Sequence, residues 1–326
     1  MAVERARSDT RIGQLYSESG DLSPALPFDF SKSIAFIKSF EPMEREQIML
    51  DGSLNSAVSI FGEPIAFRLN AKGTAEMPML KYTIFSHQPI DSGTKENAID
   101  RIAFFLSIYD DLRPFYEIGE ADLHFRPVLY RLHGYHQVKF LTPFEGTCWA
   151  ILTERNAVPI AKRQRAALAQ RIGKRIKVGG VVYMPFPEPD QMLEANIKDI
   201  LDIIKNKRRT EYLISAAEAF EDVNESFLRH GDYEEVAAWL DAIKGIGSWY
   251  ASFIMLCSLG RMERAPLHER SLLRAASSAY GRKMDIKSLQ DLANRYGRWQ
   301  GYWAHYLRVC TTFSRRLTAI DFRPRL

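Results

Sequence analysis

The segment IKGIGSWYASFIMLCSLGRMERAPLHERSLLRAA, residues 243–276, decides the fold of this chain. Gly245 and Gly247 separate two runs in which apolar residues recur at helical spacing. Because glycine accepts positive φ and close backbone approach, both glycines are expected to shape a tight turn, with the second helix beginning near an N-cap at Ser248. A carboxylate, Glu269, then stands in the expected first turn of a third helix, where the helix dipole favours an anion.

The composition of the chain excludes several classes of protein. It has 326 residues, 46% of them hydrophobic and 26% charged, as is ordinary for two or three packed domains. No apolar run reaches the roughly 20 residues that span a bilayer, and the opening MAVERARSDT contains no signal-peptide core. Three scattered cysteines predict reduced thiols and exclude a four-cysteine iron–sulfur cluster or cysteine zinc site. We therefore expect an intracellular protein, in the cytoplasm or nucleoid, or in the nucleus of a eukaryote.

Charge and periodicity predict the organisation of the chain. A net charge of +4 and a pI of about 8.8 permit a nucleic-acid partner without requiring one. Residues 1–26 are polar and predict a mobile tail, whereas residues 27–112 predict a sheet-plus-helix domain, with one small antiparallel sheet between about residues 50 and 90. Residues 113–326 predict a helical region. The expected fold class is α+β, mostly α.

The order of motifs resembles the helix-hairpin-helix DNA glycosylase superfamily, and within it the 3-methyladenine DNA glycosylase II, or AlkA-like, branch. Each motif alone is weak, but together they follow the family order over about residues 27–312. The motifs that carry the resemblance are TPFEGTCWAILTERNAVPIAKR at 142–163, PFPEPDQML at 185–193, GIGSWYA at 245–251, APLHERSLLRA at 265–275 and RYGRWQGYWAHYLRVC at 295–310.

The resemblance implies that residues 113–326 form two interleaved helical subdomains with a cleft between them. It also assigns roles to individual residues. Glu269 stands at the position of the catalytic aspartate, and Trp249 and Phe253 stand where the family's pocket receives a flipped base. The residues assigned to DNA contact are Gly245, Ile246, Gly247 and Ser248 in the hairpin, Arg155 at the position inserted into DNA, and the phosphate-contacting Arg270 and Arg274. The chain departs from the family pattern near this site, with glutamate for aspartate at 269, Glu154 for glutamine, Arg155 for an apolar wedge and Trp303 for arginine.

The resemblance implies a monofunctional glycosylase that flips alkylated or deaminated purines out of double-stranded DNA and hydrolyses the glycosidic bond. Aromatic faces attract an alkylated, positively charged purine, and a carboxylate stabilises the positive charge that develops on the sugar. Trp249 stands where lyase members have a lysine, and Lys244 lies one turn out of place, so we expect no strand cleavage. We expect a monomer without cofactor or metal, although a monovalent cation at the hairpin stays open.

Each feature also has a simpler interpretation. The Gly-Ile-Gly turn can be purely structural, Glu269 can stabilise a helix start, and Trp249 and Phe253 can be core aromatics. Arg155 can be an ordinary surface residue, and the basic run over 162–177 is more typical of a solvated helix than of a phosphate-tracking face. The alternative function is a non-catalytic protein that binds damaged or kinked DNA. The distinguishing feature is whether Glu269 faces the pocket that Trp249 lines.

Overall fold

The computed structural model of the chain describes residues 14–40, 48–50 and 52–317. One antiparallel sheet has the strand order β1-β5-β4-β3-β2, and β6 pairs with β7 in a separate hairpin. The strands are β1 Tyr16–Leu22, β2 Ile48–Leu50, β3 Ser53–Ile60, β4 Glu63–Gly73, β5 Pro78–Ser86, β6 Ile176–Val178 and β7 Val181–Tyr183.

Helices make up most of the rest. In the part of the chain that the structure describes, they are interrupted by a π-helical turn at Met255–Leu259 and a 3-10 turn at Gly297–Trp299. The α-helices are α1 Phe30–Ser39, α2 Ser92–Leu106, α3 Arg113–Ala121, α4 Arg126–Arg131, α5 Pro143–Thr153, α6 Val158–Arg171, α7 Pro189–Glu194, α8 Ile197–Ile204, α9 Lys207–Asp222, α10 Glu225–His230, α11 Tyr233–Ala242, α12 Ser248–Ile254, α13 Arg270–Ala279, α14 Ile286–Arg295 and α15 Gln300–Leu317.

The predicted fold class is confirmed: a small antiparallel sheet precedes a mainly helical region. Beyond residue 190 the described chain contains no strand. The short β6–β7 hairpin packs Ile176 and Tyr183 against Ala57 and Ala66 of the sheet. The domain boundary near residue 112 and the two helical subdomains stay predictions.

The prediction of a tail over residues 1–26 is wrong for its second half. Residues 16–22 form the edge strand β1, which pairs with β5 from Tyr16 opposite Ser86 to Leu22 opposite Leu80. The sequence YSESGDL has few apolar side chains, because an edge strand gains its stability largely from backbone pairing with its neighbour. Residues 1–13 lie outside the described part of the chain.

Helix α5 is buried among several of the other helices. Almost all of its residues are buried, and it packs against α6, α9, α12 and the π-helical turn. Its Glu145 forms a buried ion pair with Arg165 of α6. Other charges of the basic run also pair within the chain, Arg171 with Asp199 at 2.8 Å and Lys174 with Glu63 at 2.5 Å. These contacts favour the structural interpretation of the run over a phosphate-tracking face.

Candidate active site

The two glycines of the hairpin have different roles. Gly245 has a φ of +92°, and a Cβ there would meet the ring of Tyr212 at 2.3 Å. Gly247 has a φ of −101°, and a Cβ there would have no atom within 4 Å. The expectation that both residues exploit positive φ is therefore wrong for Gly247. Only Gly245 is required to be glycine by backbone conformation and packing.

The helix after the turn begins one residue from the predicted position. Gly247 is the N-cap of α12, and Ser248 is its first helical residue rather than its cap. No side chain caps this end, and Gly247, Ser248 and Trp249 are exposed, whereas Ile246 is buried and anchors the turn. The first-turn N–H groups of α12 are thus left to solvent or to a ligand, an arrangement that suits an anion.

A cavity of about 700 Å³ lies among α1, α12 with its π-helical turn, the start of α13, and α15. Two aromatic pairs form its walls. The rings of Trp249 and Phe253 are 6.4 Å apart with planes 9° from parallel, and those of Phe36 and Phe40 are 5.0 Å apart and stacked. Trp249 is 55% exposed, so it is not an ordinary core aromatic. The cavity offers flat apolar faces to a planar ligand.

Glu269 faces this cavity. It is the N-cap residue of α13 rather than a first-turn residue, and its side chain makes no capping hydrogen bond. Instead, Glu269 Oε2 accepts hydrogen bonds from Arg308 Nη1 at 2.5 Å and from Ser271 Oγ at 3.1 Å. The Glu269 side chain keeps only 18% of its surface exposed. These contacts argue against the interpretation that Glu269 serves only to stabilise a helix start.

Arg308 and His305 are site residues that the sequence reasoning missed. Both lie on α15, one turn apart, and both line the cavity. Burial, together with the charge of Arg308, lowers the pKa of His305 to about 3, so this imidazole is neutral. Trp303, which the resemblance places at the position of the family's arginine, is fully buried and donates to the Tyr280 hydroxyl at 3.1 Å. The available signal was the i, i+3 spacing of His305 and Arg308 on a helix already assigned to the site.

Arg155 is exposed at the tip of the loop that follows α5. It adopts a φ of +45°, which is rare for a residue with a side chain. Arg209 fixes the loop by donating to the carbonyl oxygen of Glu154 at 2.7 Å. The tip lies near α12, which packs against α5. Burial and the charge of Glu154 raise the pKa of Tyr250 on α12, and the charges of Arg209 and Arg155 partly oppose this rise. A strained, well-supported tip beside the hairpin is consistent with an inserting residue.

The other charged residues considered in the sequence analysis differ in their position relative to the cavity. Arg270 lines the cavity next to Glu269, whereas Arg274 is exposed one turn further along α13 and does not line it. Lys244 pairs with Glu211 at 3.3 Å outside the cavity. Among the described residues, no lysine lines the cavity.

In residues 14–40, 48–50 and 52–317, no three His, Cys, Asp or Glu side chains gather as metal ligands would. Within those ranges, no helix is both long and apolar enough to cross a bilayer.

Known proteins are similar to the chain in sequence and in fold. No family model matches the sequence. The chain is 22% identical over 224 residues to a DNA-3-methyladenine glycosylase of Bacillus subtilis (strain 168), which covers 68% of this chain and 74% of that protein. A 3-methyladenine DNA glycosylase from Archaeoglobus fulgidus superposes with a TM-score of 0.72 at 18% identity, over 93% of this chain and all of that one. An 8-oxoguanine glycosylase/lyase of Clostridium acetobutylicum, bound to double-stranded DNA, superposes with a TM-score of 0.63 at 18% identity, over 93% of this chain and 98% of that one.

Proposed function

We propose that the chain is a member of the helix-hairpin-helix DNA glycosylase superfamily and acts as a monofunctional DNA glycosylase on modified purines in base excision repair. The observation that carries this proposal is that Glu269 faces the aromatic cavity lined by Trp249 and Phe253. The names of the relatives support an activity on damaged DNA. We propose that the protein acts as a monomer inside the cell, on double-stranded DNA, without a cofactor; a monovalent cation at the hairpin stays open.

DNA binding begins at the uncapped end of α12. A backbone phosphate accepts hydrogen bonds from the first-turn N–H groups, and the exposed Gly247 allows close approach. Arg270 and Arg274 add positive charge on α13, where both side chains are exposed. Arg155 enters the duplex and stacks in the space that the extruded nucleotide leaves, which offsets part of the few kcal/mol that flipping costs.

The flipped base lies against Trp249 and Phe253, which places its sugar near Glu269. As the glycosidic bond lengthens, positive charge develops on the sugar, and the carboxylate stabilises that charge. Arg308 and Ser271 hold Glu269 in place for this interaction. The electron pair of the broken bond leaves with the base, the oxygen of a water molecule bonds to C1′, and the proton that this water releases passes to Glu269. With Trp249 at the position of the lyase lysine and no lysine lining the cavity in the described chain, the product is an abasic site in an uncut strand.

One observation favours the alternative of a non-catalytic DNA-binding protein. The guanidinium of Arg308 neutralises Glu269 in the structure without DNA, and a carboxylate in an ion pair stabilises a nearby cation less strongly. Release of free base from duplexes that carry defined purine lesions separates the two functions. The glycosylase proposal expects free base and an intact backbone before alkali treatment. Binding to the same duplexes with no base released from any of them would support the alternative.

A further inference from the structure

A basic pocket, separate from the aromatic cavity, lies where the loop after α5 meets the start of α9. We propose that this pocket holds a backbone phosphate of the undamaged DNA strand, opposite the flipped nucleotide. The inference rests on the proposed function and adds a second anchor for the same duplex. It depends on the charge of the pocket, on its place beside the inserting loop and on its distance from the hairpin.

The pocket carries positive charge alone. Its volume is about 430 Å³, and we call it the α9 pocket. Within the described chain no carboxylate lines it, so its charged walls are three cations on α6, on α9 and between α8 and α9. An oxyanion such as a DNA phosphodiester complements walls of this charge. The polar residues that line the α9 pocket are Asn156, Arg163, Gln164, Lys205, Asn206 and Arg209.

Two of the three cations have no competing anion. Arg163 and Lys205 are exposed, and neither forms an ion pair in the part of the chain that the structure describes. Arg163 differs in this respect from Arg165, Arg171 and Lys174 of the same basic run, which pair with carboxylates of the chain. The structural interpretation of the run therefore applies to those three residues but not to Arg163. The charges of Arg163 and Lys205 are available to a ligand.

Hydrogen bonds between side chains and backbone fix the shape of the α9 pocket. Asn156 Nδ2 donates to Gln164 Oε1 at 3.0 Å, and Gln164 Nε2 donates to the carbonyl oxygen of Ile204 at 2.8 Å. The side chain of Asn206 accepts from the N–H of Arg209 at 2.9 Å, so the start of α9 is already capped. The pocket would therefore hold an anion through the charges of its side chains and not through the helix end.

Arg209 joins the α9 pocket to the loop whose tip is Arg155. Its guanidinium donates to the carbonyl oxygens of Glu154 at 2.7 Å and Ile151 at 3.3 Å, and the same residue lines the pocket. Asn156, which directly follows the tip, lines the pocket as well. A phosphate in the pocket would therefore lie beside the side chain that we propose to enter the duplex.

The hairpin and the α9 pocket flank this tip. Helix α12 packs against α5 and α11, whereas α6 packs against α5 and α8. Helix α9 links the two places, because the ring of Tyr212 lies against Gly245 of the hairpin. Helix of the length from Lys205 to Tyr212 rises about 10 Å. The minor groove of B-DNA, which separates the two backbones, is of similar scale at about 6 Å wide. With the lesion strand at the hairpin and Arg155 between the strands, the pocket meets the other strand.

The first test maps the phosphate. The probe is a duplex with an abasic-site analogue in one strand and one methylphosphonate, which removes the charge of a single phosphate, at each position of the other strand in turn. We expect one position, or two adjacent ones, to weaken binding of the parent protein about three- to tenfold at fixed salt. In Arg163→Gln the same methylphosphonate should cause no further loss, because the charge that it would have met is gone.

Three outcomes of this mapping would overturn the inference. In the first, no position of the undamaged strand affects binding of the parent protein. In the second, the methylphosphonate weakens binding of Arg163→Gln as much as it weakens binding of the parent protein. In the third, the loss that Arg163→Gln relieves occurs only with a methylphosphonate in the lesion strand, which would assign the pocket to that strand.

The second test compares base release from duplex and from single-stranded DNA that carry the same purine lesion. Arg163→Gln and Lys205→Gln should each lower kcat/KM on duplex about three- to tenfold and leave kcat/KM on the single strand unchanged. Each should also reduce the slope of log Kd against log salt for duplex by about one. Lys81→Gln removes an exposed charge from β5 and is the control. Equal losses on both substrates, or no loss in either variant, would overturn the inference.

The two tests separate this inference from the proposed function. If the parent protein binds duplex but releases no base, the proposed function fails, and the methylphosphonate map decides the inference without it. Base release with no effect of the undamaged strand overturns the inference alone, and absence of DNA binding overturns both. Thermal unfolding identifies a misfolded variant, and the other of Arg163→Gln and Lys205→Gln then provides the result.

Discussion

Glu269 at the N-cap of α13 accepts a hydrogen bond from Arg308 of α15, with 2.5 Å between Oε2 and Nη1. Both side chains are about four-fifths buried, and both line the cavity between the aromatic pairs. Removing one partner from a partly buried ion pair leaves the other charge uncompensated, so neither residue is an incidental surface group. The contact fixes the carboxylate towards the space that a flipped nucleotide would occupy.

We expect Arg155 to lower the free energy of unfolding while it speeds base excision. Its φ of +45° is strained, so Arg155→Gly should leave the free energy of unfolding unchanged or raise it by about 1 kcal/mol. Excision should nevertheless slow, because no side chain then fills the space left by the flipped base. Urea unfolding and single-turnover kinetics of the variant and the parent protein measure the two effects. Equal excision by Arg155→Gly and the parent protein would mean that Arg155 does not insert.

Gly247→Asp tests the hairpin as a phosphate site. The new Cβ meets open space, and aspartate is a good N-cap, so stability should not fall. The added carboxylate should repel a DNA phosphate and weaken duplex binding about tenfold at fixed salt. The control is Ser92→Asp, which adds the same charge at the first residue of α2. Equal dissociation constants for both variants and the parent protein would exclude phosphate binding at this turn.

No covalent intermediate is expected. A lyase attacks the sugar with an amine and forms a Schiff base, which borohydride reduces to a stable protein–DNA adduct. Since the family resemblance places Trp249 at the lyase lysine position, and Lys244 pairs with Glu211, we predict that borohydride traps no adduct. A known glycosylase/lyase assayed in parallel verifies the trapping conditions. A trapped adduct would show that an amine of this chain reaches C1′.

Stability should depend on the protonation of His305. The pKa of His305 is about 3 in the folded state and 6.5 in the unfolded state. Between pH 3 and pH 6.5, the unfolded state therefore binds a proton on this imidazole that the folded state does not bind. The contribution of neutral His305 to the free energy of unfolding is therefore fully present above pH 6.5. It decreases as the pH falls towards 3, by up to about 4 kcal/mol for a shift of this size. Burial lowers the pKa of His136 as well, which adds to the same slope. Urea unfolding from pH 4 to 7 should show a smaller slope for His305→Gln; an unchanged slope contradicts a buried neutral His305. The control is His133→Gln, at an exposed site.

The helical hairpin was predictable because its signals are local: a glycine pair between two helical periods. The edge strand β1 was missed because backbone pairing with β5, not apolar alternation, stabilises it. The exact start of α12 was missed because serine is the commoner cap, whereas Gly247 occupies that position here.

The site was only partly predictable for a related reason. Trp249, Phe253 and Glu269 lie near one another in sequence, with Trp249 and Glu269 in two neighbouring motifs, and the structure brings all three to one cavity. Arg308 reaches that cavity through the packing of α15, and its spacing from His305 was the one local signal for it. Gln137 reaches the cavity through the packing of the segment before α5, so tertiary structure alone identifies it.

The most direct test of the central claim is the single-turnover rate of base release by Glu269→Gln on its best substrate, compared with the parent protein. The variant keeps size and hydrogen bonding but removes the charge that stabilises the sugar cation. We predict that excision is abolished, while binding to lesion-containing duplex is retained or slightly tighter because one negative charge near phosphate is lost. Glu269→Asp, which keeps the charge with about 1 Å less reach, controls for position and should retain measurable excision. Base release by Glu269→Gln at the parental rate would contradict the account.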